Sequence, residues 1–356
     1  MKRIRLDELR AFAVSTLRWA GVSEKNAAEA ADVLVTTDTF GVMTHGTRNL
    51  YPYIQKMRAG GLDPRAEPAI IREGPAWAVI DADRSLGMIS GCMAMRLAVE
   101  KAEKTGIAYV GVRNSCHFGA AGYYANLAAM KGMIGLSMSN TDPVIAVPGG
   151  RSKLIGTNPL AFAAPLGDST SLFLDIALSN VAALKVVYAK EKGLPVPDTW
   201  LVDEKGLPTT DAEKFPGEAS LQPMAAHKGY GLAVLVELLS AVLTGAGMLS
   251  EVVSWNLDMP SANNVGHAFI AIDAAKMLPY EDFIARMQKL ASELRGAPKA
   301  EGSERIWLPG EMEWEKRRKA LASGELELTD AMLESLSGLS AESGIGIDFI
   351  DESEES

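Results

Sequence analysis

The sequence predicts a sheet with helical cover, of α/β or α+β class, joined to a helical lobe to which both chain ends contribute. Three observations predict it. Residues up to about 60 carry apolar side chains at helical spacing. From Trp77 short apolar runs alternate with helical stretches, and helical patterns return from Tyr280 onward. With 356 residues the chain can bury two packed domains. The expected division is a helical lobe of residues 1–72 with 280–356 and a sheet-containing domain of residues 73–279.

The first helix runs from Leu6 to Ala20 and stops at Gly21; Ser23 is the N-cap of a second that breaks near Gly41. A third starts around Thr47, places Leu50, Ile54 and Met57 on one face, and ends at Gly60-Gly61. WAVI (77–80) and IAYVGV (107–112) read as strands around a helix from Met88 to Lys104. A helix near Tyr123–Met130 and the strands MIGLSM, LAFAAP and SLFLDIA follow. Residues 190–223 are polar and proline-bearing, with a short hairpin turning at Glu204-Lys205-Gly206. The apolar run Gly229–Gly247 carries Glu237 at its middle, which argues for a buried core helix over a membrane span. The strand HAFIAID comes next, and the acidic tail DESEES is expected to fray.

A net charge of −10 without a basic stripe argues against nucleic acid as a partner. Two cysteines, Cys92 and Cys116, make no disulfide scaffold and point to a reducing compartment. The N-terminus has no signal-peptide pattern, so the expectation is a soluble, cytoplasmic protein without a membrane partner. No Gly-x-Gly-x-x-Gly opens a helix after a strand, and P-loop, His-Glu-x-x-His and Gly-x-Ser-x-Gly motifs are absent. The four histidines lack ligand spacing, so no metal is indicated.

Val112–Pro165 concentrates glycine and small polar residues in short turns, as a ligand site requires. His45, His117, His227 and His267 all lie beside or near glycine, at turns or element ends; each alone could equally be a hydrogen-bonded structural histidine, and His267, opening a strand, is taken as structural. Thr44-His45-Gly46-Thr47-Arg48 is the leading catalytic candidate. A helix beginning at Thr47 would aim its free N–H groups at a substrate carboxylate shared with Arg48, with His45 exchanging a proton; a capping threonine beside a solvated arginine explains the stretch almost as well. Lys228 could reach phosphate or solvent, Asp175 suits a ribose hydroxyl or a helix cap, and Lys185 reads as a surface residue.

HFGAAGYY (117–124), PGGR followed by LIGTNPLAFAAP (148–165), LDIA (174–177), HKGYGLA (227–233) and NxVGH (263–267) together resemble the malate/L-lactate dehydrogenase family of the non-Rossmann type, from about Leu6 to Gly324. That family includes 2-hydroxyacid, sulfolactate and ureidoglycolate dehydrogenases, diketogulonate reductase and cyclic imino acid reductases. The resemblance implies an α+β fold that is not a Rossmann fold: a mixed, largely antiparallel sheet plus a helical lobe from both chain ends, forming a homodimer. It implies NAD(P)-dependent hydride transfer on a small 2-hydroxy or 2-oxo acid, or alternatively reduction of a cyclic imino acid. His45 then matches the proton donor/acceptor, with Thr44 as its hydroxyl neighbour. His117 matches an acid/base or cofactor-site histidine, and Lys185 a proton-relay position. Phe118, Gly119, Ala120 and Ala121 match the nicotinamide side. Thr141, Thr157, Asp175, Ile176, Ala177, His227 and Lys228 match cofactor contacts, as do Gly310, Glu311 and Met312. Many members carry arginine where this chain has Asn49, so Arg48 and Asn49 are both substrate-side candidates, and Leu184 replaces a common glycine. Arg151 or Lys153 could meet a 2′-phosphate, leaving NAD or NADP open.

Overall fold

A computed structural model describes residues 2–351. The chain opens with β1 (Arg3–Arg5), α1 (Leu6–Trp19), α2 (Glu24–Thr39) and α3 (Leu50–Ala59). The sheet region follows: β2 (Ala69–Gly74), β3 (Trp77–Asp81), α4 (Gly87–Thr105), β4 (Ile107–Ser115), α5 (Ala121–Ala129), β5 (Ile134–Ser139), β6 (Ile145–Ala146), β7 (Lys153–Ile155), β8 (Leu160–Pro165) and β9 (Ser171–Ile176). After α6 (Ala183–Glu191) come β10 (Leu201–Val202), β11 (Pro208–Thr209), β12 (Ser220–Leu221), α7 (His227–Glu237) and β13 (Val265–Ile272). The chain closes with α8 (Ala274–Met277), α9 (Tyr280–Arg295), α10 (Glu311–Ser323), β14 (Glu325–Glu327) and α11 (Asp330–Ser343).

The two ends meet as expected. β1 pairs with β14, and α11 packs on α3. Ser23 caps α2 by accepting from the Asn26 N–H. Of the tail, Asp351 pairs with Lys2 at 3.7 Å, and the expected fraying beyond it lies outside the described residues. One hydrophobic core runs from Leu9, Leu34 and Ile54 through Ile80 and Val110 to Phe269 and Leu336, so the terminal helices and the main sheet are packed together. A second core, around Ile145, Leu201, Leu221 and Val236, underlies a five-stranded sheet of order β11-β10-β12-β6-β7.

The main sheet has seven strands in the order β2-β3-β4-β13-β5-β8-β9. Only β3 and β4 run parallel; every other neighbouring pair is antiparallel. Alternation of strands and helices alone could not show this, because the late strand β13 inserts between β4 and β5 and reverses the direction at both its neighbours. The registers Val265↔Ser115, His267↔Ser139, Met138↔Leu160 and Leu160↔Ile176 bring the C-terminal ends of β4, β5 and β9 to one sheet edge, with the N-terminal ends of β13 and β8. From β4 to β9 this edge spans four strand spacings, about 19 Å.

One expectation is corrected. The apolar run after Gly229 folds as α7 and a π-helical turn, Leu238–Val242, but it is not wholly buried. Ala233, Val236 and Glu237 face inward, while Leu232, Leu235, Leu238 and Val242 are 38–58% exposed. Spacing of three and four residues puts these four on one stripe. No helix among the described residues is long and apolar enough to cross a membrane.

Candidate active site

The segment between α2 and α3 carries His45. Asp38, fully buried near the end of α2, accepts the Thr47 N–H at 2.9 Å and the Thr47 hydroxyl at 2.6 Å through Oδ2. The start of the third helix is a short 3-10 turn, Thr47–Asn49, and its positive end is satisfied by this internal carboxylate. A substrate carboxylate therefore does not find that helix end free, contrary to the sequence expectation. Burial outweighs the two hydrogen bonds and pushes the Asp38 carboxyl up to about 7. Asn49, also buried, donates through Nδ2 to the Thr44 carbonyl at 2.9 Å, which ties its side chain into the loop. The exposed Thr44 places Oγ1 2.8 Å from His45 Nδ1. Arg48 is half-exposed, and its carbonyl accepts from Ser335 of α11.

His117 follows β4 at the sheet edge and reaches the same place. Its ring stacks on His45, centroids 5.5 Å apart, and its other neighbours are Trp255 at 4.7 Å and Tyr53 at 6.0 Å. The Gly119 N–H, which can only donate, points to His117 Nδ1 at 3.4 Å. The Tyr53 hydroxyl lies 2.5 Å from the same nitrogen. With Nδ1 an acceptor, Tyr53 donates and the neutral ring carries its proton on Nε2. Burial holds both imidazoles below the ordinary histidine range, His117 the further because His45 and His267 lie close. Nε2 of each ring has no partner among the described residues.

Farther along the edge, the turns after β5 and before β8 lock together. Thr157 N–H donates to Thr141 Oγ1 at 2.9 Å, the two hydroxyls are 3.4 Å apart, and Thr141 N–H donates to Asn158 Oδ1 at 3.1 Å. Gly156 permits this approach: a Cβ there would lie 2.2 Å from Thr141 Oγ1. Beneath them Glu237 of α7, buried, accepts from Asn140 Nδ2 (3.2 Å), Asn158 Nδ2 (2.8 Å) and the Leu249 N–H (2.8 Å). The charge that argued against a membrane span is thus the anchor of both turns.

The other expected residues fall in several places. Asp175, at the end of β9, accepts the Gly122 N–H at 2.7 Å and so caps α5; burial raises its carboxyl to about 6. Its neighbours Ile176 and Ala177 are half-buried on the same edge. Ala120 and Ala121 start α5 and are buried. Phe118 is a core residue, its ring stacked between His267 (4.4 Å) and Tyr124 (4.8 Å), so its role is to fix the turn. His267 is structural as expected, with Nδ1 and Nε2 each 2.9 Å from a serine hydroxyl, Ser139 and Ser115. Gly310 packs against Phe173 of β9; Glu311 is engaged by Arg295 and Arg305, and Met312 is half-exposed. His227 and Lys228 are exposed at the start of α7, after Ala225 and Ala226 with φ of +48° and +55°. Lys185 is exposed on α6, with no described partner.

The model of the malate/L-lactate dehydrogenase family matches residues 4–337. The chain belongs to that family. A malate dehydrogenase of Pyrococcus abyssi is 40% identical over 316 residues, 87% of this chain and 86% of that one. The solved sulfolactate dehydrogenase of Methanocaldococcus jannaschii superposes with a TM-score of 0.89 at 35% identity, covering 97% of this chain and 98% of that one. The Δ1-piperideine-2-carboxylate reductase of Pseudomonas syringae pv. tomato superposes at 0.85 with 29% identity, over 95% and 100%. In this malate/L-lactate dehydrogenase family chain, Asp38, Tyr53, Trp255 and Glu237 line or anchor the candidate site, and sequence reasoning missed them. Tyr53 had a visible signal, standing two turns after His45 on the helix that His45 precedes; Trp255 had none, since only the fold brings it beside His117.

Proposed function

We propose that the protein is an NAD(P)-dependent dehydrogenase of a small 2-hydroxy acid, working reversibly on the corresponding 2-oxo acid. The observation that carries this is the stacked His45–His117 pair at the sheet edge, each ring with Nε2 uncommitted. The donor set along the edge suits a dinucleotide: the paired hydroxyls of Thr141 and Thr157, and the Asp175 carboxylate, half-exposed with one oxygen left over for a ribose hydroxyl. When bound, the nicotinamide takes up or gives the hydride. His45, donating Nδ1–H to Thr44 Oγ1, keeps a lone pair on Nε2 and removes the proton from the substrate hydroxyl. Neutral His117 donates Nε2–H to the same substrate oxygen and stabilises the negative charge that develops there. Arg48 is the half-exposed cation of the His45 loop and the carboxylate partner in this reading, since Asn49 is tied to Thr44. The cofactor contacts of His227, Lys228 and Gly310–Met312, and the relay role of Lys185, belong to this same proposal.

Screening 2-oxo acids and cyclic imino acids with NADH and NADPH by absorbance tests the reading. A 2-oxo acid should be turned over, and His45→Ala should lower kcat by about 10²- to 10⁴-fold; full turnover by that variant on a confirmed substrate overturns the role of His45. The second reading, reduction of a cyclic imino acid, is favoured by the likeness to the piperideine-2-carboxylate reductase. Preference for the imines in the same screen would select it. For the 2′-phosphate, Arg151 is exposed, whereas the Lys153 ammonium is engaged by the Pro216 carbonyl.

The partner in this reading is a second copy of the chain. The exposed stripe of Leu232, Leu235, Leu238 and Val242 is an apolar surface of the sort that marks an interface. A dimer mass in sedimentation, reduced to monomer by Leu235→Glu, is expected; a monomeric wild type overturns it. Cys92 and Cys116 are free and buried, which suits the cytoplasm.

A further inference from the structure

The segment 252–264, between the end of α7's π-helical turn and β13, supplies Trp255 to the imidazole pair. It holds little regular structure, yet it is fastened from three sides. Asn263 donates through Nδ2 to the Val253 carbonyl at 2.6 Å and accepts from Cys116 Sγ at 2.9 Å. The Ser254 hydroxyl, which donates to Asn256 Oδ1 at 3.0 Å within the segment, faces the Asp142 carboxyl beside Thr141 and partly offsets the rise that burial gives its pKa. The third fastening is Lys56. It stands three residues after Tyr53 on α3, so both side chains leave the same helix face. Lys56 is wholly buried, and its Nζ donates to the Asp258 carbonyl at 2.7 Å and the Ser261 carbonyl at 2.8 Å. The segment presses close enough at Gly61 that a Cβ there would lie 2.2 Å from the Met259 carbonyl. A buried ammonium held by backbone carbonyls costs desolvation that an apolar side chain at the same place would avoid. The contact it makes is to the segment that bears the Trp255 indole, which stacks on His117 at 4.7 Å and on Tyr53 at 4.8 Å.

We propose that Lys56 is a positioning residue: by clamping the Asp258–Ser261 carbonyls it holds Trp255 as the plate that orients His117 for the reaction. This rests on the proposed role of His117. A displacement of about 1 Å at a reacting group can lower rate on the order of a hundredfold, so a clamp remote from the substrate can control turnover.

The test uses the full-length enzyme with Lys56→Met, Lys56→Arg, Trp255→Ala and the double variant Lys56→Met/Trp255→Ala. Chymotrypsin reads the segment without substrate, because Leu257 is 81% exposed within it. Lys56→Met should be cleaved there roughly fivefold faster, with kcat lowered about ten- to a hundredfold and KM moved less than about threefold. Lys56→Arg should restore most of both. In the Trp255→Ala background Lys56→Met should cost less than about twofold in kcat, since the pair acts as a unit. Unchanged cleavage and kcat in folded Lys56→Met, or an equal loss of kcat in both backgrounds, overturns the proposal. If Lys56→Met does not fold, Lys56→Gln, which keeps an N–H donor group without the charge, is held to the same criteria. Full turnover by His117→Ala would instead overturn the role of His117 while leaving the cleavage result standing.

Discussion

His267 and His117 sit at the same edge of the same sheet, on β13 and just after its neighbour β4, and both are kept neutral by burial. Their surroundings differ in one respect. His267 has both nitrogens committed, to Ser139 and Ser115, and burial drives its pKa down to about 3. His117 has Nδ1 committed and Nε2 open. The seryl pair makes the first ring a cross-strand brace; the tyrosine and glycine donors leave the second with one nitrogen open for the proposed proton chemistry. A shifted imidazole pKa therefore does not distinguish the two, and the count of uncommitted nitrogens does.

Replacing each ring by alanine is the strongest way to break this comparison. His117→Ala should lower kcat by about 10²- to 10⁴-fold with little change in melting. His267→Ala should leave kcat per folded molecule near wild type and destabilise by about 2–5 kcal/mol, since it empties a packed site and leaves Ser115 and Ser139 without their partner. Equal loss of kcat in both variants, measured on soluble folded protein, would erase the distinction.

Much of the fold was legible. Helix limits followed from apolar spacing, and the strand runs at 77, 107, 134, 160 and 171 lie where β propensity put them. Strand direction was not legible from alternation, because the insertion of β13 between β4 and β5 is a pairing across more than a hundred residues. His45 and His117 stood out through their glycine-rich turns. Asp38 and Lys56 did not, since an acid and a base on amphipathic helices look like solvated surface until the fold buries them. The exposed stripe of α7 was misread for the converse reason: an apolar side chain does not declare whether it is covered by its own chain.

Tyr53→Phe sharpens the comparison at the next level. It removes the hydroxyl that holds His117 Nδ1 as an acceptor, so protonation there becomes easier. In the wild type the acid limb of kcat should lie below pH 6.5, as both imidazoles are held below their ordinary value. The variant's limb should move upward, with kcat down about tenfold. An unmoved limb would mean that the tyrosine only packs.

The last effect is on stability alone and concerns the acid behind His45. The Asp38 carboxyl is raised from 3.8 to about 7 in the fold, so it contributes stability below about pH 4 that is lost as pH rises through 7. Asp38→Asn keeps an acceptor for Thr47 but cannot titrate. Relative to wild type its stability should therefore improve from pH 4 to 7, by up to about 1.4 kcal/mol per pH unit. Thermal melts of both proteins across that range check the sign; parallel curves would show that Asp38 is ionised throughout.

The indole of Trp255 lying flat on His117, at 4.7 Å and 14°, also equips the molecule with an optical reporter. An imidazolium draws electron density from an excited indole far more strongly than a neutral ring does. The emission that Trp255→Phe removes should dim as His117 takes up a proton, so the charge state of that ring can be followed by light in resting enzyme, without substrate.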